Sequence, residues 1–261
     1  MKRIMLRVAY DGTAYHGWQV QPNADTIEGR LNQAISSLTG EEITVIGASR
    51  TDAGVHALDN IAVFDTESRI PADKFIYALN QRLPDDIVIQ SSEQVADDFH
   101  PRHIESRKTY EYTILNRSIP LPEYRNTAYF QYGHLNIPAM KQACQPFIGE
   151  HDFAGFCSAG AQVQTTVRTI YQLEVEAVPL HKPWRKPAYN TDRPDQLITI
   201  RVRGNGFLYN MVRIIAGTLV EVGKGHIKPE EIMDIIASCD RSKAGPTAPA
   251  QGLRLVEIEH V

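Results

Sequence analysis

The 261-residue sequence has only three cysteines and two tryptophans. It also has no apolar run near the roughly 20 residues that a membrane-spanning helix needs. Cys144, Cys157 and Cys239 are odd in number and lack paired metal spacing, so neither a structural disulfide nor a metal centre is expected, and a reducing cytoplasm is. There is no Gly-x-Gly-x-x-Gly and no Gly-x4-Gly-Lys-Ser/Thr, and the glycines in residues 10–22 alternate with aromatics without a phosphate-binding lysine. Nucleotide-dependent chemistry is therefore not expected. Gly-x-Ser-x-Gly is missing too, and no obvious base stands beside Cys157, which argues against acyl transfer. The opening stretch MKRIMLRVAYDG has its short apolar part broken by Arg7, so it reads as a first strand rather than a signal peptide.

A strong charge of one sign is also lacking. The net charge is −4, and it is unevenly placed: residues 1–105 hold 9 Lys/Arg and 16 Asp/Glu (−7), and residues 106–261 hold 18 and 15 (+3). Such a chain would not coat DNA indiscriminately, yet one part of it can carry a basic face, which is what recognition of a nucleic acid by shape requires. The remaining proportions, 43% hydrophobic and 22% charged, are those of a globular protein with a real core.

Hydrophobic spacing predicts the order strand, helix, strand, strand, helix, strand over the first hundred residues. Strands are expected at 3–10, 43–49, 60–66 and 87–95, with helices from Thr26, an N-cap, to Gly40, and over 74–83 up to Pro84. That order is the split βαβ, ferredoxin-like pattern. The second half repeats it with longer elements: strands at 109–115, 171–178, 196–203 and 253–260, and helices at 138–148, 206–223 and from Pro229. The expected fold is thus α+β, with two ferredoxin-like halves sharing a largely antiparallel mixed sheet flanked by helices. The halves are placed at 1–105 and 106–261, and the proline-rich segment 180–195 is read as a surface excursion.

Three clusters hold chemistry-bearing residues. Residues 49–57 (SRTDAGVHA) pack a carboxylate, a guanidinium, two hydroxyls and an imidazole behind a strand. Asp-x-Gly is ordinary turn chemistry, but Arg50, two residues before Asp52, favours the ionised carboxylate that a nucleophile or base needs. Residues 99–112 interleave His100, Arg102, His103, Arg107 and Lys108 with Phe99, Tyr110 and Tyr112. That pattern suits RNA, with cations meeting phosphates and rings stacking on bases. Either tyrosine is equally a strand residue packed on the core, and two histidines without further ligands are a poor metal site. In the apolar helix 206–223, Arg213 needs a carboxylate or phosphate partner, through a structural salt bridge or through Asp52.

Together the motifs YDGTAYHGWQVQP at 10–22, SRTDAGVHA at 49–57, FHPR…KTYEY at 99–112, GNGFLYNMVR at 204–213 and AGPTAPAQGL at 244–253 resemble the tRNA pseudouridine synthase A family, in family order and over nearly the whole chain. Ala48-Ser49 departs from the glycine usual before Arg-Thr-Asp, and 180–195 looks like an insertion. The resemblance implies isomerisation of uridine to pseudouridine at positions 38, 39 and 40 of the tRNA anticodon stem-loop. It further implies a homodimer, no cofactor and no metal; a cytoplasmic location, with neither membrane nor DNA as partner, is also expected. By position, Asp52 matches the family's essential aspartate, Arg50 and Arg213 match arginines near it, and Tyr110 matches the active-site tyrosine. The second half is expected to complete the active-site cleft.

Overall fold

The computed structural model describes residues 1–160, 163–180 and 195–261. Two compact units emerge: Met1–Lys108 together with Arg254–Val261, and Thr109–Leu253. The fold is α+β, and the sheets are largely antiparallel.

The first unit contains β1 (Lys2–Tyr10), α1 (Ile27–Thr39), β2 (Ile46–Gly47), β3 (His56–Thr66), α2 (Phe75–Asn80) and β4 (Ile87–Val95). Strand β1 lies between β4 and β3, antiparallel to both, and β2 pairs antiparallel with the far side of β3. Each helical connection therefore joins strands separated by one other strand, the split βαβ arrangement. Alternation along β1 sends Ile4, Leu6 and Val8 into the core, while α1 buries Ile27, Leu31 and Ile35 at four-residue spacing. Thr26 caps α1 by accepting from the Gly29 amide, and Gly40 ends it at φ +74°.

Strand β2 is shorter than its hydrophobic run suggests. Ile43 and Val45 are buried as a strand residue would be, but their amides are taken by side chains of α1. The Ser36 hydroxyl accepts from Ile43 at 3.2 Å and the Asn32 carbonyl oxygen from Val45 at 2.8 Å. Helix α2 is likewise trimmed, with a one-turn 3-10 segment at Ala72–Lys74 before it and a turn after Asn80.

The later elements are β5 (Ser106–Asn116), β6 (Tyr129–Gln131), α3 (Ile137–Gln142), β7 (Gly149–Asp152), β8 (Val167–Pro179), β9 (Gln196–Gly204), α4 (Met211–Gly223), α5 (Ile232–Ser238) and β10 (Leu253–His260). In the second unit the strand order is β5-β9-β8-β7, with β6 alongside β5. Leu173 and Val175 on β8 and Ile198, Ile200 and Val202 on β9 face the core, opposite Glu174, Glu176 and Arg201. The helix expected over 138–148 stops at Gln142, and Pro146 lies in a separate turn at Gln145–Phe147. Helix α4 starts only at Met211 because Asn210 adopts a left-handed conformation, φ 61°. The succession β5-α3-β8-β9-α4-β10 repeats the strand and helix order of the first unit, with β9 again between the two strands preceding it. Its last member, β10, belongs to the first unit, where Arg254 and Leu255 pair in parallel with His56 and Ala57. Residues 181–194 of the proline-rich segment lie outside the described residues, and at its ends the Leu180 amide donates to the Asp195 carbonyl at 2.8 Å. No helix among the described residues is long and apolar enough to cross a membrane.

Helix α4 is almost wholly buried and packs on the segment 245–248 at backbone distance. A Cβ at Gly217 would lie 1.8 Å from the Pro246 carbonyl oxygen, and one at Gly245 would lie 2.6 Å from backbone atoms of Thr218. The Gly245 amide donates to the Thr218 hydroxyl at 2.9 Å. Gly217→Ala must push these backbones apart, at an overpacking cost of about 1–3 kcal/mol. A melting temperature roughly 3–10 °C lower is expected by calorimetry.

Candidate active site

Asp52 lies in the loop between β2 and β3 and is half-buried. Its carbonyl accepts from the Val55 amide at 3.1 Å, closing a turn whose third residue, Gly54, has φ +78°. The turn role read from Asp-x-Gly is therefore real and is carried by the backbone.

What fixes this loop is a second loop, residues 11–26, laid against it. The Trp18 amide donates to the Thr51 carbonyl at 3.0 Å, and the Gly54 amide donates to the Tyr15 carbonyl at 3.2 Å. The Gly12 amide donates to Nδ1 of His56 at 3.1 Å. Gly17 has φ +88°, and a Cβ there would stand 2.5 Å from the Thr51 carbonyl oxygen; at Gly12 it would stand 2.0 Å from that of Val55. Trp18, fully buried, lies against Gly47, where an added Cβ would meet the indole at 2.4 Å.

The bracing loop is itself anchored. The Gly17 and Trp18 carbonyls accept from the first amides of α1, Ile27 at 3.2 Å and Glu28 at 2.9 Å. The Tyr15 hydroxyl donates to Asp86 at 2.6 Å, and burial together with that bond pushes its pKa above the ordinary phenol value. Asp11 caps the turn at Gly12–Ala14. Burial opposes its charge, but hydrogen bonds from the Thr13 hydroxyl and amide and the nearby His56 ring outweigh burial and hold the carboxyl below its usual range.

The basic-aromatic segment also reaches this loop. Arg102 Nε donates to the Gly47 carbonyl at 2.7 Å, and Lys108 Nζ donates to the Ala48 carbonyl at 3.3 Å. His100 and His103 stack with ring centroids 3.8 Å apart and an interplanar angle of 15°. Partial burial, then the nearby His103, Arg102 and Arg3, pull His100 below the ordinary imidazole value. No group of three or more metal-ligating side chains occurs among the described residues. Arg50 is exposed, with no ion pair to a described residue.

In the second unit, Tyr110 and Tyr112 are both buried on β5. Tyr110 meets the edge of Phe207, with centroids 5.3 Å apart. Tyr112 is core: its hydroxyl donates to the Pro249 carbonyl at 2.7 Å, and burial pushes its pKa up. Arg213 sits in the first turn of α4. Its Nε donates to the Ala248 carbonyl at 2.8 Å and another guanidinium nitrogen to the Asn210 side-chain oxygen at 2.7 Å. Asn210 is oriented in turn by donating to the Ser158 hydroxyl at 2.9 Å. Both of these acceptors are carbonyl oxygens. Burial raises the Cys157 thiol, which makes it a poor nucleophile.

Sequence reasoning passed over Asn60, a fully buried amide beneath the Asp52 loop. A polar side chain next to the apolar run Ile61–Phe64 was the available signal.

The backbone contact at Gly17 has a measurable consequence. Gly17→Ala adds a left-handed penalty of about 1–2 kcal/mol to a clash worth about 1–3 kcal/mol. Gly40→Ala, with φ +74° and no atom within 4 Å of the new Cβ, bears only the first. Denaturant midpoints should therefore fall further for Gly17→Ala than for Gly40→Ala.

The chain is similar to known proteins over nearly its whole length. The family model for tRNA pseudouridine synthase matches residues 7–103 and 143–260. A tRNA pseudouridine synthase A of Ruminiclostridium cellulolyticum is 49% identical over 258 residues, covering 99% of each chain. Its counterparts from Thermoanaerobacter sp. (strain X514) and Brevibacillus brevis are 48% and 45% identical, again over 99% of each chain. The chain belongs to the tRNA pseudouridine synthase family.

Proposed function

We propose that this protein isomerises uridine to pseudouridine at positions 38, 39 and 40 of the tRNA anticodon stem-loop, with Asp52 as the catalytic group. The observation that carries this reading is the bracing of the Asp52 loop by residues 12–18, where backbone hydrogen bonds and two sterically obligatory glycines fix the carboxylate's anchor point. Catalysis rewards such preorganisation.

The reaction is an isomerisation, and its atoms balance without a co-substrate. The C1′–N1 bond breaks, the uracil turns, C1′ joins C5, the C5 proton leaves and N1 gains one. A carboxylate starts this as a nucleophile at C1′ or by removing the C2′ proton, and both routes use the same group. A base within a stem or its closing loop must first be flipped out, at a cost of about a few kcal/mol. On this reading Arg50, exposed beside Asp52, occupies the space the base leaves and supports the ionised carboxylate. Tyr110 stacks on the extruded uracil, and Arg213 binds substrate with its guanidinium held at the start of α4. Residues 1–105 then supply the reactive carboxylate, and residues 106–261 supply Tyr110 and Arg213. The working form is proposed to be a cytoplasmic homodimer.

Release of tritium from tRNA labelled at uridine C5 is the direct test. The unmodified protein should release it, and Asp52→Asn should not, while binding tRNA within a few-fold of the unmodified affinity. Tight binding without release by either protein would instead indicate a noncatalytic RNA-binding protein. Tyr110→Ala should lose about 1–3 kcal/mol of base stacking, and Tyr110→Phe should retain it. Release rates for the two variants should differ accordingly.

A further inference from the structure

Asn60 lies on β3 with none of its surface exposed. Its side-chain nitrogen Nδ2 donates to the Ser49 carbonyl at 2.9 Å and to the Tyr10 hydroxyl oxygen at 3.3 Å, and that oxygen stands 2.7 Å from Oγ1 of Thr51. The direction of both Asn60 bonds follows from the groups involved. A backbone carbonyl only accepts, so the nitrogen of the Asn60 amide must face Ser49. The second proton on that nitrogen goes to the Tyr10 oxygen, and the Tyr10 and Thr51 hydroxyls share a bond in which either can donate. Asn60 thus heads a hydrogen-bonded chain that holds Ser49 through its carbonyl and Thr51 through its hydroxyl, the residues flanking Arg50 and leading into Asp52. The Thr51 carbonyl is held separately by the Trp18 amide at 3.0 Å.

This arrangement is costly for the fold. Asn60 Oδ1 is buried without a hydrogen-bond partner, a penalty of about 1–3 kcal/mol. The neighbouring β3 residues Ile61, Ala62, Val63 and Phe64 are all buried and apolar. Packing alone gives no reason for an amide at this point of the strand, whereas a requirement to hold the loop does.

We propose that Asn60 is a positioning residue for the reaction, acting through Tyr10 and Thr51 to set where the Asp52 carboxylate stands. The proposal rests on the reading of Asp52 as the catalytic group. Misplacement of a reacting group by about 1 Å costs on the order of 100-fold in rate, so a loosened chain should appear in kcat before it appears in tRNA binding.

The test uses near-isosteric changes in the full chain: Asn60→Asp, Tyr10→Phe, Thr51→Val and Thr51→Ser. Asn60→Asp, Tyr10→Phe and Thr51→Val should each lower kcat for tRNA by about 10- to 100-fold with KM within about threefold. Thr51→Ser, which keeps the hydroxyl, should stay at least about fivefold above Thr51→Val. The double variant Tyr10→Phe/Thr51→Val should be within about twofold of the worse single variant, because both changes break the same bond. Amide hydrogen exchange gives a readout independent of activity: the Trp18 and Val55 amides, which donate to Thr51 and Asp52, should exchange at least about tenfold faster in Tyr10→Phe. If Asn60→Asp does not fold, Tyr10→Phe and Thr51→Val carry the test. Values of kcat within twofold of the unmodified protein, unchanged exchange, or losses confined to KM would overturn the proposal. Turnover by Asp52→Asn would overturn the reading of Asp52 instead, while exchange rates would still report whether the chain holds the loop.

Discussion

The close approach of two backbone segments, residues 12–18 against 51–55, is the constraint on which the reactive region depends. Side chains are excluded from the contact points at Gly12 and Gly17, and amide-to-carbonyl bonds hold the strip between them. Packing at backbone distance leaves almost no freedom for the loop to slide, because any shift meets a carbonyl oxygen rather than a compliant side-chain tip. It is also insensitive to ionic strength, unlike an ion pair at the surface. An enzyme that binds a polyanion benefits from a reactive group whose placement is independent of the charges its substrate brings.

The second unit uses a related device. Gly217 and Gly245 let α4 lie on the segment 245–248 without intervening side chains, and the same contact positions Arg213, whose Nε reaches the Ala248 carbonyl while its own carbonyl accepts from the Ala248 amide. Two of the five sequence motifs, 204–213 and 244–253, are thus one structural feature. The motifs at 10–22 and 49–57 are likewise one feature in the first unit, and the segment 99–108 joins it through Arg102 and Lys108.

Much of this was legible in the sequence, for identifiable reasons. Period-two and period-3.6 spacing placed β1, α1, β4 and β9 closely, because their burial is one-sided and their ends carry caps or turns. The strand expected at 43–49 came out short because burial there is shared with α1, whose Asn32 and Ser36 side chains take the amides that a strand partner would have used. The start of α4 moved to Met211 because a left-handed Asn210 breaks an otherwise continuous apolar pattern, and composition does not register backbone conformation. Asp52, Arg50, Tyr110 and Arg213 stood out by residue type and motif. Asn60, Gly12 and Gly17 did not, because their roles lie in contacts between residues 11 to 50 positions apart, to which no local pattern is sensitive. Trp18 stands in the sequence among alternating glycines and aromatics, yet it is the buried plug of that loop.

The placement of β10 bears on how the chain comes to fold. Its pairing of Arg254 with His56 joins positions 198 residues apart (254 minus 56), and the whole of Thr109–Leu253 is synthesised between the two parts of the first unit. During translation β3 therefore waits for its parallel neighbour until the later unit has been made, and the strand edge beside His56 stays open for that interval. Contacts of such long sequence separation form slowly, and unpaired edges recruit other chains. The nascent first unit is thus most vulnerable to misassembly along the strand that leads out of the Asp52 loop, and late arrival of β10 is the step that closes it.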